Sequence, residues 1–281
     1  MDKPIFICIT MKQKVNQSIK LLRSVYRRAQ EPLEICYSGG KDSDVMLRLA
    51  QLADIPFVAI HRLSGIDRPN TLAHCEEVGA TIHRTGRTFF DIVDEHGLPT
   101  RRQRHCCEEL REYAIHKFAC WGIRREESNR RKARYTEPVQ CRVYHSKSQG
   151  YCQAVLPLLE WTIQDEYDFI TRERIHLHRH YYNADGSINL TRRVGCIGCP
   201  LASDKGMSEL REFPMFARQL LKHLEIWWNR YPYTRSHDLF PTSADIMFHN
   251  IFCDSYAQYL ATRPADCRDY LAKYFGFPVF S

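Results

Sequence analysis

The feature that most constrains this chain is the hexapeptide Ser38-Gly39-Gly40-Lys41-Asp42-Ser43. The apolar run from Leu33 to Cys36 before it is typical of a buried strand, and the run from Val45 to Ala50 after it is typical of a helix. A strand, a tight glycine turn and a helix N-terminus together form an anion site. This is because unpaired backbone N–H groups and the positive end of the helix dipole point at one spot. The pattern therefore predicts a phosphate-binding loop.

Each residue of the loop suits a part of that task. Gly39 and Gly40 let the backbone approach a phosphate and adopt a positive φ if one is needed. Lys41 adds a full positive charge, and Ser43 offers a hydroxyl group. Asp42 would repel a bare phosphate, so we expect it to cap the helix or to help hold Mg²⁺.

The hexapeptide is not a Walker loop, which requires G-x-x-x-x-G-K-[ST]. It resembles the PP-loop of the ATP pyrophosphatase superfamily, also described as adenine nucleotide alpha hydrolase-like, whose members split ATP into AMP and pyrophosphate. This resemblance implies nucleotide contacts from all six residues, Ser38 included, with catalytic roles for Lys41, Asp42 and Ser43. The alternative is a serine- and glycine-rich turn with a solvated lysine.

Composition limits the class of protein. The 281 residues, 44% of them hydrophobic, suffice for one large domain with a sizeable core, and no apolar run is long enough to span a bilayer. The chain opens without the pattern of a secretory signal, so we expect a cytoplasmic protein with no membrane partner. In a reducing compartment its 12 cysteines suit metal ligands, catalytic thiols or core packing better than disulfides. The net charge of +7 suits an anionic partner such as a nucleotide or a nucleic acid.

Alternating apolar segments predict an α/β fold with a mostly parallel, doubly wound sheet. The predicted strands are 33–37, 56–60, 81–83 and 121–124, and the predicted helices before residue 203 include 12–30, 41–52, 69–78 and 108–119. We expect residues 124–149 to form a loop over the site. The predicted domains are 1–203, a nucleotide-binding domain with an N-terminal helix, and 204–281, a helical region that includes one helix from Asp245 to Thr262.

Two cysteine pairs form the second candidate site, and they are Cys106, Cys107, Cys196 and Cys199. Four thiolates suit either a [4Fe–4S] cluster or a structural zinc ion. The tandem pair favours the cluster, because we expect adjacent side chains to diverge toward separate iron corners. Gly195 and Gly198 suit backbone N–H groups that turn toward sulfur. Four buried thiols without a metal are the alternative.

Residues from about 33 to 203 resemble the phosphoadenosine phosphosulfate (PAPS) reductase family, which has a PP-loop-type fold. Its adenosine phosphosulfate (APS) branch has a Cys-Cys…C-x-x-C [4Fe–4S] site at similar spacing. The matching segments are Gly122–Ser128, Pro157–Thr162 and Arg193–Pro200. By this resemblance, Arg124 and Ser128 would contact the nucleotide. Asp67 follows the second strand and could orient a ribose or a metal, although a plain loop acid is equally consistent with its position.

Two departures separate the chain from true sulfonucleotide reductases. Those enzymes have a degenerate phosphate loop, whereas this chain keeps an intact one. They also carry a catalytic cysteine in a C-terminal E-C-G-[IL]-H motif, and the segment from Tyr274 to Ser281 has no cysteine. Both differences favour ATP-using relatives that adenylate an oxygen and then replace it with sulfur, as in DNA phosphorothioation and tRNA thiolation.

The leading hypothesis is thus an ATP pyrophosphatase that activates an acceptor for sulfur transfer, with ATP, Mg²⁺ and a [4Fe–4S] cluster (zinc as the alternative) as cofactors. Candidate partners are an adenine nucleotide, DNA or tRNA, and a cysteine desulfurase or thioredoxin-like donor. The second hypothesis is an APS or PAPS reductase that makes sulfite. The third is a non-catalytic nucleotide-binding module. The basic stretch 124–134 could grip phosphates or form a solvated, salt-bridged face.

Overall fold

The computed structural model describes residues 10–143 and 151–278, and it divides the chain into two compact units. The first unit comprises Met1–Arg62, Pro69–His83 and Glu112–Val194. The second comprises Leu63–Arg68, Arg84–Arg111 and Gly195–Ser281. The chain therefore passes between the units several times, and the predicted domain boundary at residue 203 stays a prediction.

The first unit contains a six-stranded sheet. Its strands are β1 (Leu33–Cys36), β2 (Phe57–Arg62), β3 (Thr81–His83), β4 (Phe118–Cys120), β5 (Val139–Val143) and β6 (Tyr151–Val155). They lie in the order β3-β2-β1-β4-β6-β5, and every neighbouring pair is parallel except β5 with β6. The mostly parallel α/β fold predicted from the sequence is confirmed.

Helices precede, connect and follow these strands. In chain order they are α1 (Met11–Ala29), α2 (Lys41–Ala53), α3 (Thr71–Glu77), α4 (Phe89–His96), α5 (His105–Leu110), α6 (Asn129–Arg134), α7 (Ile163–Glu173), α8 (Met207–Glu212), α9 (Pro214–Arg230), α10 (Arg235–Leu239), α11 (Ser243–Phe252), α12 (Tyr256–Thr262) and α13 (Cys267–Phe275). None of the helices in the described ranges combines the length and apolar character that crossing a bilayer requires.

Each unit has an apolar core of its own. In the first, α1 buries Val15, Leu22 and Val25 at helical spacing, in one cluster with Ile35 of the central strand β1. In the second, which is helical, the buried apolar residues come chiefly from α4, α9, α11 and α13. The C-terminal helical region predicted from the sequence is confirmed, and α4 and α5 belong to the same unit as that region.

Three local predictions are wrong. The predicted helix 108–119 is instead the short α5 followed by β4, so the fourth strand ends before the predicted segment 121–124 begins. Pairing of β4 with both β1 and β6 outweighs the apolar spacing that favoured a helix. The predicted loop 124–149 contains a 3₁₀ turn, α6 and β5, and residues 144–150 lie outside the described residues. The predicted helix from Asp245 to Thr262 is two helices, α11 and α12.

Candidate functional site

The glycine loop connects the end of β1 to the start of α2, as the sequence pattern predicts. Gly39 has a φ of +76°, and a Cβ atom there would lie 2.8 Å from Cγ2 of the buried Thr71. Both the backbone conformation and the lack of space therefore require glycine at this position. Gly40, the N-cap of α2, has an ordinary φ of −97°, so its freedom to adopt positive φ is not used.

The loop amides are partly engaged within the protein. The Lys41 N–H donates to the Tyr181 hydroxyl at 3.1 Å, and the Gly40 N–H donates to Ser38 Oγ at 3.4 Å. The Ser43 N–H donates to the Gly40 carbonyl oxygen at 2.9 Å, within the first turn of α2. The first two partners are side-chain hydroxyls, and the Ser38 side chain can change rotamer and free the Gly40 N–H when a stronger acceptor such as a phosphate arrives.

A buried group of two cations and two carboxylates lies beside the loop. Lys41 Nζ is 2.7 Å from Asp42 Oδ2 and 3.1 Å from Glu166 Oε2. Arg124 Nε is 3.0 Å from Asp42 Oδ1 and 3.3 Å from Glu166 Oε1. Lys41, Arg124 and Glu166 are all buried. Because each cation contacts both carboxylates, the four groups hold one another in place.

Protonation within this group is unequal. Burial and, after it, the negative charge of Asp42 raise the pKa of Glu166 to about 9. Burial also disfavours the Asp42 carboxylate, but its contacts with Lys41 and Arg124 outweigh that effect and lower its pKa. Near neutral pH, Glu166 therefore retains its proton while Asp42 is ionised.

Gly122 explains how Arg124 reaches α2. A Cβ atom at Gly122 would lie 2.8 Å from both Cβ and the carbonyl oxygen of Asp42, so only glycine permits this approach. The segment after β4 thus passes close enough for Arg124 to lie against Asp42. Gly122 is the first residue of the segment Gly122–Ser128 that resembles the family, and this close approach explains why the position is a glycine.

A cavity of about 330 Å³ opens at the loop. Its lining includes Ser38, Gly40, Lys41, Asp42, Ser43 and Arg124 among the predicted residues, together with Cys36, Trp121, Gly122, Ile123, Arg131, Tyr181, Leu190, Thr191, Arg192, Arg193 and Val194. This volume falls within the range of small-molecule sites. Three further arginines among the lining residues give the cavity a basic character suited to an anion.

Much of the basic stretch 124–134 is paired. Arg125 contacts Glu160 and donates to the Tyr135 carbonyl oxygen at 2.8 Å, and Arg131 contacts Glu127. These contacts favour the salt-bridged face over a free phosphate-binding patch for Arg125. Arg131 both pairs with Glu127 and lines the cavity.

Two predicted nucleotide contacts have other partners. Ser128 is the N-cap of α6, where its hydroxyl accepts from the Arg131 N–H at 3.1 Å. Asp67 belongs to the second unit, where it accepts from the Ser64 N–H at 2.9 Å, contacts Arg111 and forms a β-bridge with Cys196. A nucleotide-binding role for either residue stays a prediction.

The sequence reasoning missed Glu166 and Tyr181. Glu166 has a signal in the sequence, because it lies at helical spacing from Phe169 and Ile170 and so places an acid on the buried face of α7. A buried acid of this kind needs cationic partners. The Tyr181 hydroxyl reaches the loop through a contact between residues 140 positions apart, which no local pattern predicts.

The four cysteines of the second candidate site all belong to the second unit. Cys106 and Cys107 lie in the first turn of α5, and Cys196 and Cys199 lie in a turn before α8. A hydrogen bond with the Cys107 thiol is the largest of the effects that raise the pKa of Cys106. Burial adds to it, followed by electrostatic contributions from Cys107, Cys196 and Cys199. The structure therefore brings all four thiols close enough to influence one another.

Arg111 supplies positive charge at this site. Its Nη2 donates to Cys196 Sγ at 3.2 Å and to Ser64 Oγ at 3.2 Å, and it also contacts Asp67. This N–H···S hydrogen bond is of the kind that tunes metal–thiolate groups. No sequence motif pointed to Arg111.

The donor set fits an iron–sulfur cluster. Four cysteine thiolates are the usual ligands of [4Fe–4S] clusters, and they also suit zinc. The four thiols therefore fit either group.

Two expectations about the cysteine site are wrong. The adjacent side chains of Cys106 and Cys107 do not diverge, since their thiols hydrogen-bond to each other. The Gly198 N–H does not turn toward sulfur, because it donates to Glu209 Oε2 at 3.0 Å. Gly198 has a φ of +68°, and a Cβ there would lie 2.9 Å from Leu210 Cδ2, so it serves the tight packing of this turn on α8.

Residues 32–202 match the sequence family described as the phosphoadenosine phosphosulfate reductase domain. The chain belongs to this family. The PAPS reductase domain thus includes the whole glycine loop and all four cysteines, and the resemblance drawn from the sequence motifs is confirmed.

Curated relatives are more distant. This chain is 28% identical over 216 residues to an uncharacterised protein of Methanocaldococcus jannaschii. The match covers 70% of this chain and 42% of that protein. It is 29% identical over 196 residues to sulfate adenylyltransferase subunit 2 of Streptomyces lavendulae, covering 59% of this chain and 61% of that protein. The chain therefore spans about two fifths of the length of the Methanocaldococcus protein and about three fifths of the length of the Streptomyces protein.

Among solved structures, FMN adenylyltransferase of Candida glabrata, in complex with FMN and the ATP analogue AMPCPP, is similar with a TM-score of 0.43 and 16% identity. The similarity covers 63% of this chain and 61% of that one. A similarity of this size supports no inference about the activity of the PAPS reductase domain described here.

Proposed function

We propose that this chain is a PP-loop enzyme that binds ATP, releases pyrophosphate and adenylates an acceptor oxygen that sulfur then replaces. The observation that carries the proposal is the intact glycine loop, whose Lys41 and Ser43 line a basic cavity with Arg124. Two facts support it. The chain belongs to the PAPS reductase domain family, and the Streptomyces relative is named as an enzyme of adenylyl transfer to sulfate.

In the proposed reaction the acceptor oxygen attacks the α-phosphorus of ATP. The bond from that phosphorus to the oxygen bridging to the β-phosphorus breaks, and pyrophosphate leaves with the electron pair. Negative charge therefore grows on the leaving group, where the Lys41 ammonium and the N-terminus of α2 would stabilise it. Asp42 would hold Mg²⁺, which supplies further positive charge to the phosphates when bound.

The buried charge group suits such a cycle. A triphosphate would compete with Asp42 and Glu166 for the Lys41 ammonium group, which now lies 2.7 and 3.1 Å from their oxygens. Because the raised pKa of Glu166 keeps that carboxyl protonated, it would add little repulsion as the phosphates arrive. A change of the Ser38 rotamer would release the Gly40 amide to a phosphate oxygen.

The cysteines would hold a [4Fe–4S] cluster that organises the sulfur-transfer step. In that step a persulfide from a donor such as a cysteine desulfurase is first reduced by a thiol reductant of the thioredoxin class, which breaks the S–S bond and releases hydrosulfide. The hydrosulfide sulfur attacks the activated carbon or phosphorus of the acceptor, and AMP leaves with the oxygen. The basic cavity and the net charge of +7 are consistent with a nucleic-acid acceptor, DNA or tRNA.

Pyrophosphate release from ATP, measured with each candidate acceptor, tests this function. Lys41→Met keeps most of the buried stem but removes the charge, and we expect it to slow release by roughly 100-fold or more. Lys20→Met, which replaces an exposed lysine on α1, is the control and should release pyrophosphate at the wild-type rate. Equal rates for wild type and Lys41→Met would refute the assignment of the loop.

Reduction of PAPS to sulfite is the second candidate, favoured by the family description and by Cys36, a thiol that lines the cavity. Burial and the neighbouring Glu34 raise the Cys36 pKa, so the thiol stays protonated and is a poor nucleophile. A reductase would therefore need another thiol. Sulfite formed from PAPS with no pyrophosphate formed from ATP would favour this candidate, and ATP binding without any turnover would favour a non-catalytic module.

A further inference from the structure

A cluster of two histidines and a glutamate lies in the first unit, outside the cavity lining. His74 and Glu77 are one turn apart on α3, and His176 follows the end of α7. The Glu77 Oε2 atom is 4.0 Å from His74 Nδ1 and 3.8 Å from His176 Nδ1. All three ligand atoms lie within 4.8 Å of one another.

The second nitrogen of His74 is already oriented. His74 is buried, and its Nε2 lies 2.9 Å from Asp44 Oδ1. An Nε2–H that donates to this carboxylate leaves Nδ1 as the nitrogen with a lone pair, and Nδ1 is the atom that faces Glu77 and His176. Carboxylate, histidine and metal commonly occur in this order, because the carboxylate fixes the tautomer and makes the imidazole a better ligand.

Asp44 gives a second, independent indication of a cation. Its side chain is buried, and Oδ1 accepts from both Tyr37 and His74. Among the described residues, Oδ2 has no hydrogen-bond partner. A buried carboxylate with one unpaired oxygen is costly unless positive charge lies nearby, and a metal ion on the far side of His74 would supply it.

We propose that His74, Glu77 and His176 bind a divalent transition-metal ion, with Asp44 as the carboxylate that positions His74. Two imidazoles and one carboxylate suit zinc and its neighbours Co²⁺ and Ni²⁺. Ligand atoms on a tetrahedral zinc ion lie about 3.4 Å apart, so the two contacts of Glu77 with the histidines need to close by roughly half an ångström. Glu77 and His176 are exposed and can make that adjustment, and water completes the shell.

Such an ion would link α3 to the segment after α7. The same helix carries Thr71, whose methyl group lies where a side chain at Gly39 would be, so α3 packs directly against the glycine loop. Metal binding would therefore brace the wall of the proposed phosphate site. This role is independent of which reaction the loop serves.

Zinc stoichiometry tests the site, with zinc alone as the probe. After equilibrium dialysis against zinc, elemental analysis should find one more ion per chain in the wild type than in His176→Ala or in Glu77→Gln. Both variants keep the four cysteines, so zinc bound there cancels in the comparison. His116→Ala, which removes an exposed histidine of the same unit, is the control and should retain the wild-type content.

Two further measurements address the ligands and Asp44. The cobalt spectrum of the wild type minus that of His176→Ala should show weak visible bands without intense sulfur-to-metal absorption. Asp44→Asn should weaken zinc binding to the histidine site by about 10- to 100-fold. Equal zinc content and equal affinity in the wild type and His176→Ala would overturn the proposal, as would a thiolate signature in the difference spectrum.

Discussion

The glycine loop and the cysteine cluster handle charge in opposite ways. At the loop, Lys41 and Arg124 each lie within 3.3 Å of both Asp42 and Glu166, so both cations already have partners within the protein. At the cluster, four thiols interact with one another, and the Arg111 guanidinium group donates to the sulfur of Cys196. The first site can exchange an internal anion for a substrate anion. The second can ionise its thiols only with added positive charge, which a metal group provides.

The largest expected effect tests that contrast at the cysteines. Cys196→Ser removes the sulfur that contacts Arg111, and we expect loss of most of the broad absorption near about 400 nm and of the roughly four irons per chain. ATP affinity, which depends on the loop, should stay within about twofold. Cys141→Ser, at an exposed cysteine, is the control. A cluster that persists in Cys196→Ser would show that this residue is not a ligand.

The second prediction concerns the steric requirement of the loop. Gly39→Ala places a methyl group against Thr71 in a left-handed conformation, and we expect it to cost about 2 to 4 kcal/mol in the free energy of unfolding. Gly79→Ala is the matched control, because Gly79 has a similar φ of +75° with no atom within 4 Å of the added Cβ. Urea denaturation measures both. If both variants lose the same free energy of unfolding, Thr71 must move to make room for the added methyl group, and the lack of space would not be the reason for glycine at position 39.

The third prediction concerns the charge balance at the loop. The folded state raises the pKa of Glu166 to about 9, so it binds more protons than the unfolded state between roughly pH 4.5 and 9. Stability should therefore fall as pH rises through this window, by at most about 1.4 kcal/mol per pH unit for this group. In Glu166→Gln that part of the pH dependence should be absent. Parallel stability curves for both proteins would contradict the shifted pKa.

The smallest effect separates a helix cap from a ligand contact. Ser128→Ala should cost about 1 kcal/mol of stability, because it removes the N-cap of α6, and should leave ATP affinity unchanged. Thr162→Ala is the matched control, because it removes the N-cap of α7 in the same unit. If only Ser128→Ala weakens ATP binding, by more than about threefold, the nucleotide contact implied by the family resemblance is correct.

The sequence predicted best those features whose signal is local. The loop from Ser38 to Ser43 was recognisable because a strand, a glycine turn and a helix start follow one another directly. The four cysteines stood out through side-chain chemistry and spacing alone. These patterns needed no knowledge of which distant segments meet.

Features that depend on distant pairing were missed. Phe118–Cys120 has apolar spacing that also fits a helix, and it becomes a strand only because β1 and β6 flank it. Glu166 matters through Lys41 and Arg124, which lie far from it in the chain. The position of Asp67 after the second strand suggested contact with a ribose or a metal, or a plain loop acid, and its partners in the structure are Ser64, Arg111 and Cys196.

The interleaving of the two units has a consequence for biosynthesis. The segment Arg84–Arg111 leaves the ribosome well before Gly195–Ser281, with which it forms one unit. Until then Phe89, Ile92 and Val93 of α4 lack the helices that bury them. A nascent chain that exposes such apolar residues invites aggregation and attracts chaperones. The order of translation therefore leaves the cysteine-bearing unit unprotected for longer than the sheet that carries the glycine loop.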